Sequence, residues 1–319
     1  MDNGSESLTI DLVKSYSAGF VSSMTSTSTL NRRLYFYLYV VFLPLGFAGN
    51  FLSFVLMVLS KQMRATSYSI YLAQLAVFDT ISLSYYLLGW LNVLGYYLSL
   101  DEAIVTFESS IRCKLVEIFH DMGVEGGHFT VVIIAIERVF VVGFPFRAKR
   151  LCTRKHSKVV CGCCTTYVIG ESIWRGTVPK YRPDFGCYFN AEDVPLDYFH
   201  GLTMYMLLPV AIVFICNAII AKITFLSSNA FDAASDHKRA QTMKVTLTLF
   251  VISMTFLLFS VPLCVPLIIL GAGLGDKQQL YALSDTTTII LGLNYGVNFY
   301  LYILTGKQIR AALSQLFCG

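Results

Sequence analysis

The sequence predicts an all-α membrane protein, a seven-transmembrane helix bundle with a short amphipathic helix after span seven. Of its 319 residues, 55% are hydrophobic and 14% are charged, whereas a soluble domain carries about 25% charged residues. Apolar runs of roughly 20 residues, the length that crosses the hydrocarbon core of a bilayer, recur along the chain. They predict seven spans near residues 34–59, 68–97, 111–142, 157–174, 199–226, 240–270 and 279–304.

The fourth span has the weakest signal of the seven. Its centre, residues 159–170, is rich in Cys, Thr and Gly and contains no Leu. A bundle of six spans is therefore the alternative to seven. The predicted organisation is an extracellular tail over residues 1–33, one transmembrane domain over residues 34–304, and an amphipathic helix with a short cytoplasmic tail over residues 305–319.

The distribution of basic residues predicts the orientation in the membrane. Fourteen Lys and Arg residues fall in the loops and tail on one side of the bundle and nine on the other. Such residues concentrate on the cytoplasmic side, so we expect a multi-pass plasma-membrane protein with its N-terminus outside and its C-terminus in the cytoplasm. Asn3 then lies outside, in an Asn-Gly-Ser glycosylation sequon. The net charge of +4 belongs to the cytoplasmic face, so nucleic acid is not an expected partner.

Several polar residues fall inside the predicted membrane segments. Asp79 lies in span two, and Asn294 and Asn298 lie in span seven. An uncompensated Asp at mid-depth costs about 3 kcal/mol on insertion scales. Intramembrane polar groups of this kind are more typical of a mechanism than of a passive membrane anchor.

Eight short motifs occur in the order and at the spacing of one receptor family. They are Gly49-Asn50, Leu75 to Asp79, Cys113, Glu137-Arg138-Val139, Cys187, Pro209, Pro262 with Phe256 before it, and Asn298 to Tyr302. Over nearly its whole length, the chain thus resembles the rhodopsin-like (class A) G-protein-coupled receptors.

The resemblance implies a disulfide and a coupling surface. Cys113 and Cys187 would form the disulfide. Glu137, Arg138 and Tyr302 would form the surface that meets a heterotrimeric G protein, and arrestin is a further expected partner.

The resemblance also implies an ion site in the polar core. Asp79, Asn294 and Asn298 would surround an allosteric sodium ion and water. Gly127 stands where a hydroxyl often completes that site. No other cofactor is expected.

Some positions depart from the family pattern. Thr242 stands where some members place an acid that pairs with the Arg of the triplet, so an inner ionic lock is not expected. Asn217 replaces a common Tyr in span five, and His128 replaces an apolar residue that would pack against Pro209 and Phe256. A constitutively active orphan receptor is therefore the alternative to a receptor that waits for its ligand.

The outer half of span three carries Glu117, His120, Asp121 and Glu125, which share broadly one face of the helix. Three acids there require counter-cations, protons or water. One interpretation is that neighbouring basic residues (Arg112, Lys114 and Arg175) or waters satisfy them. The other is an acidic pocket for a cationic ligand, in which Glu117, His120 and Asp121 are the ligand-binding residues.

Residues on other spans extend this acidic and aromatic character. Trp90, Tyr281 and Asp285 complete the predicted ligand-binding set. Amine receptors usually carry Asp at the position of His120, so a peptide with Arg or Lys near its end is favoured over a small monoamine.

Short sequence motifs narrow the resemblance to a subfamily. Glu137 to Val142 running into Phe144-Pro145, and Val297-Asn298-Phe299 followed by Gly306-Lys307, are similar to invertebrate neuropeptide receptors. The FMRFamide-type group, which often has Asn-Phe in span seven, is the most similar. An amidated peptide ligand is the corresponding expectation.

Two rival functions find little support. Glu117 to His120 and Glu125 to His128 are both Glu-x-x-His, but di-metal sites draw this motif from two facing helices, and here both lie on one. No catalytic residue and no metal site is therefore predicted, and the chain is not expected to be an enzyme. A membrane transporter would show paired interrupted helices in two related halves, and the sequence shows none, so transport is the less favoured alternative.

The chain ends on an expected surface helix. Residues 306–317 read as an amphipathic helix on the inner membrane surface. Cys318 is a predicted palmitoylation site, and a plain frayed terminus is the alternative.

Overall fold

The computed structural model describes residues 29–64, 66–100, 104–105, 109–177, 180–182, 186–188, 194–228 and 237–318. Within these residues the chain forms seven helical spans, which confirms the predicted bundle. Span five combines three segments, with a π-helical turn in the middle, and span seven combines two. The spans are Thr29–Leu59, Tyr68–Tyr97, Ser110–Gly143, Arg154–Arg175, Val194–Gly201 with Leu202–Leu207 and Leu208–Ser228, His237–Gly271, and Lys277–Gly292 with Asn294–Thr305.

Span four is the exception in hydropathy, as its sequence predicts. In the described residues, six helices are long and apolar enough to cross a membrane, and Arg154–Arg175 is not among them. It nevertheless packs in the bundle, with Ser157, Cys161, Val168 and Ser172 buried along one face. These small side chains let helices approach closely, which compensates for the weak apolar signal.

Short elements connect the spans. Helices Lys61–Arg64 and Pro145–Leu151 follow spans one and three, and helix Lys307–Cys318 follows span seven. Strands Lys180–Arg182 and Gly186–Tyr188 form an antiparallel hairpin between spans four and five.

Span three sets the two ends of the bundle. Its 34 residues begin after Ser109, whose hydroxyl accepts a hydrogen bond from the backbone N–H of Arg112 at 3.3 Å and caps the helix. At a rise of about 1.5 Å per residue, Cys113 and Arg138 lie about 37 Å apart along the axis. We call the two faces of the bundle the Cys113 end and the Arg138 end.

Glycines allow the closest approaches between spans. A Cβ added to Gly123 in span three would lie 2.7 Å from the backbone nitrogen of Ser82 in span two. A Cβ added to Gly46 in span one would lie 3.3 Å from the Cα of Gly296 in span seven. Spans one, two, three and seven therefore pack through backbone contact, the close packing that membrane helices use.

The core has two apolar layers with polar residues between them. The layer at the Cys113 end contains stacked tyrosines, with the rings of Tyr39 and Tyr86 5.4 Å apart. The layer at the Arg138 end includes Leu72, Phe256 and Tyr302. Large apolar side chains such as Phe51, Phe214 and Leu258 point outwards, as expected for a surface in contact with lipid.

Candidate ligand site, polar core and coupling site

The acidic cluster lies at the Cys113 end, where span three meets span four. We define it as Glu117, His120, Asp121 and Glu125 of span three with Glu171 of span four. Asp121 is only 1% exposed, and each of its oxygens has a basic neighbour. Oδ1 lies 3.3 Å from Nδ1 of His120, and Oδ2 lies 3.2 Å from Nη1 of Arg175.

Arg175 is the counter-cation of this cluster. Its side chain is buried, and its guanidinium carbon lies 4.4 Å from the ring centroid of Tyr205 in span five. It therefore joins spans three, four and five. Of the three basic residues named from the sequence, Arg175 is the one that pairs with Asp121 among the described residues. That the cluster binds a ligand stays a prediction.

Glu125 adds a buried carboxylate one turn from Asp121. The residue is 0% exposed, and among the described residues neither of its oxygens has a hydrogen-bond partner. Burial of a charged carboxylate without a partner is strongly unfavourable. The cluster therefore attracts a proton or a cation.

A second histidine–carboxylate pair closes the cluster on the side of span five, and the sequence analysis missed it. Nδ1 of His200 lies 3.3 Å from Oε1 of Glu171, and the His200 ring packs edge-on against Trp174 at 5.6 Å. The spacing of Glu171 and Arg175 was the available signal, because residues four apart share a helix face.

The other predicted ligand residues lie on different spans. The indole Nε1 of Trp90 donates a hydrogen bond to the carbonyl of Phe36 at 3.1 Å, and the two rings stack at 5.6 Å. Trp90 thus joins span two to span one. Tyr281 and Asp285 lie one turn apart on span seven, and both are half-buried. Tyr85, which was not predicted, lies with its ring 4.1 Å from that of His120.

The polar core joins span two to span seven. The side-chain amide of Asn298 donates a hydrogen bond to Oδ2 of Asp79 at 2.7 Å and lies 3.4 Å from the carbonyl of Asn294. All three residues are buried, so the predicted clustering of these polar groups is present. The amide of Asn50 donates to the carbonyl of Tyr295 at 2.9 Å, which adds span one to the same layer.

The geometry of the polar core fits a small hydrated cation. Oδ1 of Asp79 is buried and has no hydrogen-bond partner among the described residues. A Cβ added to Gly127 would lie 3.4 Å from that oxygen, so the backbone leaves room beside it. A sodium ion there would supply a positive charge to Asp79, with Asn294 and Asn298 as further oxygen donors. Gly127 contributes no hydroxyl to such a site.

His128 joins span three to the π-helical turn of span five. Its Nδ1 lies 2.6 Å from the carbonyl oxygen of Tyr205, and because a carbonyl only accepts, Nδ1 carries the hydrogen. In an α-helix that carbonyl would bond to the N–H four residues later, but Pro209 occupies that position and has no N–H. His128 donates a hydrogen bond to this carbonyl, which Pro209 cannot do. His128 is recognisable from the sequence as unusual, but this partner is not.

The Arg138 end holds a closed ion pair. Arg138 donates a hydrogen bond to Glu137, both side chains are buried, and the hydroxyl of Ser67 donates to the same carboxylate at 3.0 Å. The guanidinium also lies 6.0 Å from the ring centroid of Tyr68. Tyr302 is buried in the apolar layer of this end.

Spans five and six are joined by a hydrogen bond that the sequence analysis also missed. The hydroxyl of Ser253 donates to Oδ1 of Asn217 at 2.8 Å, and both residues are buried. Asn217 is one of the departures from the family pattern, and here it has a partner of its own.

Several predictions concern atoms outside the described part of the chain. Asn3 is one, and the side chains of Cys187, Thr242 and Cys318 are others. Cys113 is buried and disulfide-bonded. Its pairing with Cys187, whose backbone lies opposite Tyr181 in the hairpin, stays a prediction.

The family is settled by comparison with known proteins. The family model of the 7 transmembrane receptor (rhodopsin family) matches residues 49–298, from the Gly49-Asn50 pair of span one to Asn298 of span seven. The chain belongs to this family. Its members are receptors, so the chain is a receptor and not an enzyme.

Similarity to individual receptors is low. Human G-protein coupled receptor 55 is 28% identical to this receptor over 130 residues, which cover 39% of this chain and 36% of that one. Mouse G-protein coupled receptor 55 is 26% identical over 208 residues, 61% of this chain and 58% of that one. The match therefore spans between about a third and just over half of these relatives.

Proposed function

We propose that this receptor lies in the plasma membrane with its Cys113 end outside, binds a peptide containing Arg or Lys there, and activates a heterotrimeric G protein at its Arg138 end. Family membership supports the receptor role. The excess of Lys and Arg in the loops at the Arg138 end supports the orientation.

The charge of the acidic cluster is the observation that carries the ligand class. The cluster holds four carboxylates, and the structure sets the guanidinium of Arg175 against one of them. Glu117 and His120 are half-buried at its edge, whereas Asp121 and Glu125 are buried behind them. A guanidinium or ammonium group of a ligand would pair with Glu117 and gain from the buried negative charge.

The path from ligand to G protein uses the contacts described above. A ligand at the cluster bears on Arg175 and Tyr205, and the carbonyl of Tyr205 is held by His128. The polar core at Asp79 and Asn298 lies between this layer and the Arg138 end. The ligand would shift the receptor towards a state in which Arg138 leaves Glu137, by no more than its difference in affinity between the two states.

Finer expectations accompany this proposal. The Asn-Phe sequence at Asn298 and the phrase around Glu137 support an amidated, FMRFamide-type peptide. We also expect a glycan at Asn3, a palmitoyl group at Cys318, a disulfide between Cys113 and Cys187, sodium in the polar core, and arrestin as a partner.

The proposal is tested by calcium and cAMP signalling in transfected cells that receive a library of amidated peptides. The variants are Glu117→Gln, which removes a half-buried charge of the cluster, and Asp276→Asn. Asp276 is the exposed cap of span seven at the same end, and Asn preserves a cap. We expect peptides with Arg or Lys to activate the wild type and Asp276→Asn, and to lose at least about tenfold in potency on Glu117→Gln, since a charged hydrogen bond contributes about 1.5–3 kcal/mol.

Equal potency on all three receptors would contradict the role of Glu117. Activation by neutral or acidic peptides alone would contradict the cationic ligand.

A second candidate function is signalling without an agonist. The ion pair of Arg138 is with the neighbouring residue of the same helix, so that pair does not tie span three to span six. If this function holds, signalling in the absence of peptide rises in proportion to receptor density at the cell surface. A flat response over a wide range of surface density would contradict it.

A further inference from the structure

We infer that Glu117, His120 and Asp121 form a zinc site at the Cys113 end of the receptor. The sequence predicted no metal site, because its two Glu-x-x-His motifs lie on one helix. The structure separates the two motifs. Glu117 and His120 meet Asp121, whereas His128 of the second motif bonds to the carbonyl of Tyr205.

The three side chains lie close enough together to bind one metal ion. Each offers one donor atom, and the three donor atoms lie within 4.8 Å of one another. Nδ1 of His120 and Oδ1 of Asp121 are 3.3 Å apart. Two ligands of a tetrahedral zinc ion, each at about 2.0–2.1 Å from the metal, are separated by about 3.3–3.4 Å. The observed distance therefore equals one edge of a zinc tetrahedron.

The nitrogen of His120 is available for a metal. Nδ1 is a buried atom without a hydrogen-bond partner among the described residues, so its contact with Asp121 does not count as a hydrogen bond. The ring itself is fixed, because it packs against Tyr85 at 4.1 Å. A metal ion between His120 and Asp121 would give this fixed nitrogen a partner.

The buried carboxylates around the site also favour a proton or a cation. Glu125 is 0% exposed, shares the face of Asp121 one turn away, and has no hydrogen-bond partner on either oxygen among the described residues. Arg175 approaches the other oxygen of Asp121, at 3.2 Å, and leaves Oδ1 on the side of His120. A divalent ion at Oδ1 would offset the remaining negative charge without displacing Arg175.

The donor set selects zinc. One imidazole nitrogen and two carboxylates suit zinc, whereas calcium takes six to eight oxygen ligands. Three protein ligands leave a fourth position open for water. Glu117 and His120 are half-buried at the edge of the cluster, so this position is reached from the Cys113 end.

Zinc would compete with the cationic peptide, because both use Glu117. This consequence rests on the proposed function, whereas zinc binding itself does not. Bound zinc is therefore expected to lower the apparent potency of the peptide, and to do so less when Glu117 or His120 is replaced.

The test is zinc binding to the purified full-length receptor without any peptide, measured by calorimetry. Cobalt serves as a spectroscopic substitute, since tetrahedral cobalt absorbs visible light. The variants are Glu117→Gln and His120→Asn, which alter half-buried side chains, and the matched control is His156→Asn. His156 is an exposed histidine at the Arg138 end. Thermal unfolding checks that each variant is folded.

We expect one zinc per wild-type receptor and an unchanged affinity for His156→Asn. Each ligand variant should weaken zinc binding by more than about tenfold, because even residues behind the ligands change affinity by about 10–100-fold. Absence of saturable zinc binding by folded wild type would overturn the proposal. So would equal affinity in all variants, or calcium binding as tight as zinc.

These results are separable from those of the peptide screen. Zinc binding without any peptide response would support the site and contradict the proposed ligand. Peptide activation without zinc binding would support the proposed ligand and contradict the zinc site.

Discussion

The two ends of the bundle hold their charges in opposite ways. At the Cys113 end, four carboxylates spread over spans three and four, and Arg175 pairs with Asp121. At the Arg138 end, Glu137 and Arg138 pair within one helix, and Ser67 supports the carboxylate at 3.0 Å. The first end brings several carboxylates together, and we propose that it takes up a cation. At the second end Arg138 is already paired with Glu137, so a partner must separate the two before Arg138 becomes available.

Buried hydrogen bonds join the helices of the layer between the two ends. Asn298 to Asp79 joins spans seven and two, and His128 to Tyr205 joins spans three and five. Each bond crosses between helices and is buried. Such bonds give the bundle discrete arrangements, which is the requirement for relaying a change over this distance.

Removal of the Arg175 guanidinium from the Cys113 end is expected to have the largest effect. Arg175→Met removes the guanidinium that pairs with buried Asp121, and loss of one partner of a buried ion pair costs about 3–5 kcal/mol. We expect a large fall in the thermal stability of the purified receptor. The double variant Asp121→Asn with Arg175→Met should regain part of the loss. Unchanged stability of the single variant would show that the cluster is already neutral.

Substitution of His128 tests the contact between spans three and five that lies between the two ends. His128→Leu removes the donor to the carbonyl of Tyr205 beside Pro209, and loss of one partner of a buried hydrogen bond costs about 1–3 kcal/mol. His128→Asn keeps a donor near the position of Nδ1 and should cost less. Thermal unfolding and agonist response measure both variants. Equal stability of the two would contradict a role for the hydrogen bond.

The smallest expected effect is at the Arg138 side of spans five and six. Ser253→Ala removes the hydrogen bond to Asn217, which contributes about 0.5–1.5 kcal/mol. We expect a modest rise in agonist-independent signalling, because span six is held less firmly to span five. Ser260→Ala, a buried serine of the same helix, is the control. A rise that both variants share would assign the effect to the loss of any buried hydroxyl.

The fold could be predicted from the sequence because lipid imposes a length and a hydropathy on each span. Even span four, with its Cys and Thr residues, was placed correctly between residues 154 and 175. The structure begins span one at Thr29, earlier than the predicted residue 34, because polar residues such as Asn31 are buried against span seven. Hydropathy cannot detect a polar residue that another helix covers.

The site could be predicted only in part. The shared face of Glu117 and Asp121 follows from helical spacing, but the partner of Asp121 depends on how span four is rotated, which spacing does not give. The pairing of Glu171 with His200 and that of His128 with the carbonyl of Tyr205 require a three-dimensional fold. A π-helical turn also shifts the register of span five, and no periodic pattern in the sequence predicts that turn.

A double-substitution cycle between receptor and peptide tests whether the Cys113 end receives a cation at Glu117. The receptor is wild type or Glu117→Gln, and the activating peptide carries Arg or citrulline, which has nearly the same shape without the charge. G-protein nucleotide exchange on purified receptor gives the four potencies. We predict that citrulline lowers potency at least about tenfold on wild type and changes it little on Glu117→Gln. The same loss on both receptors would contradict the claim.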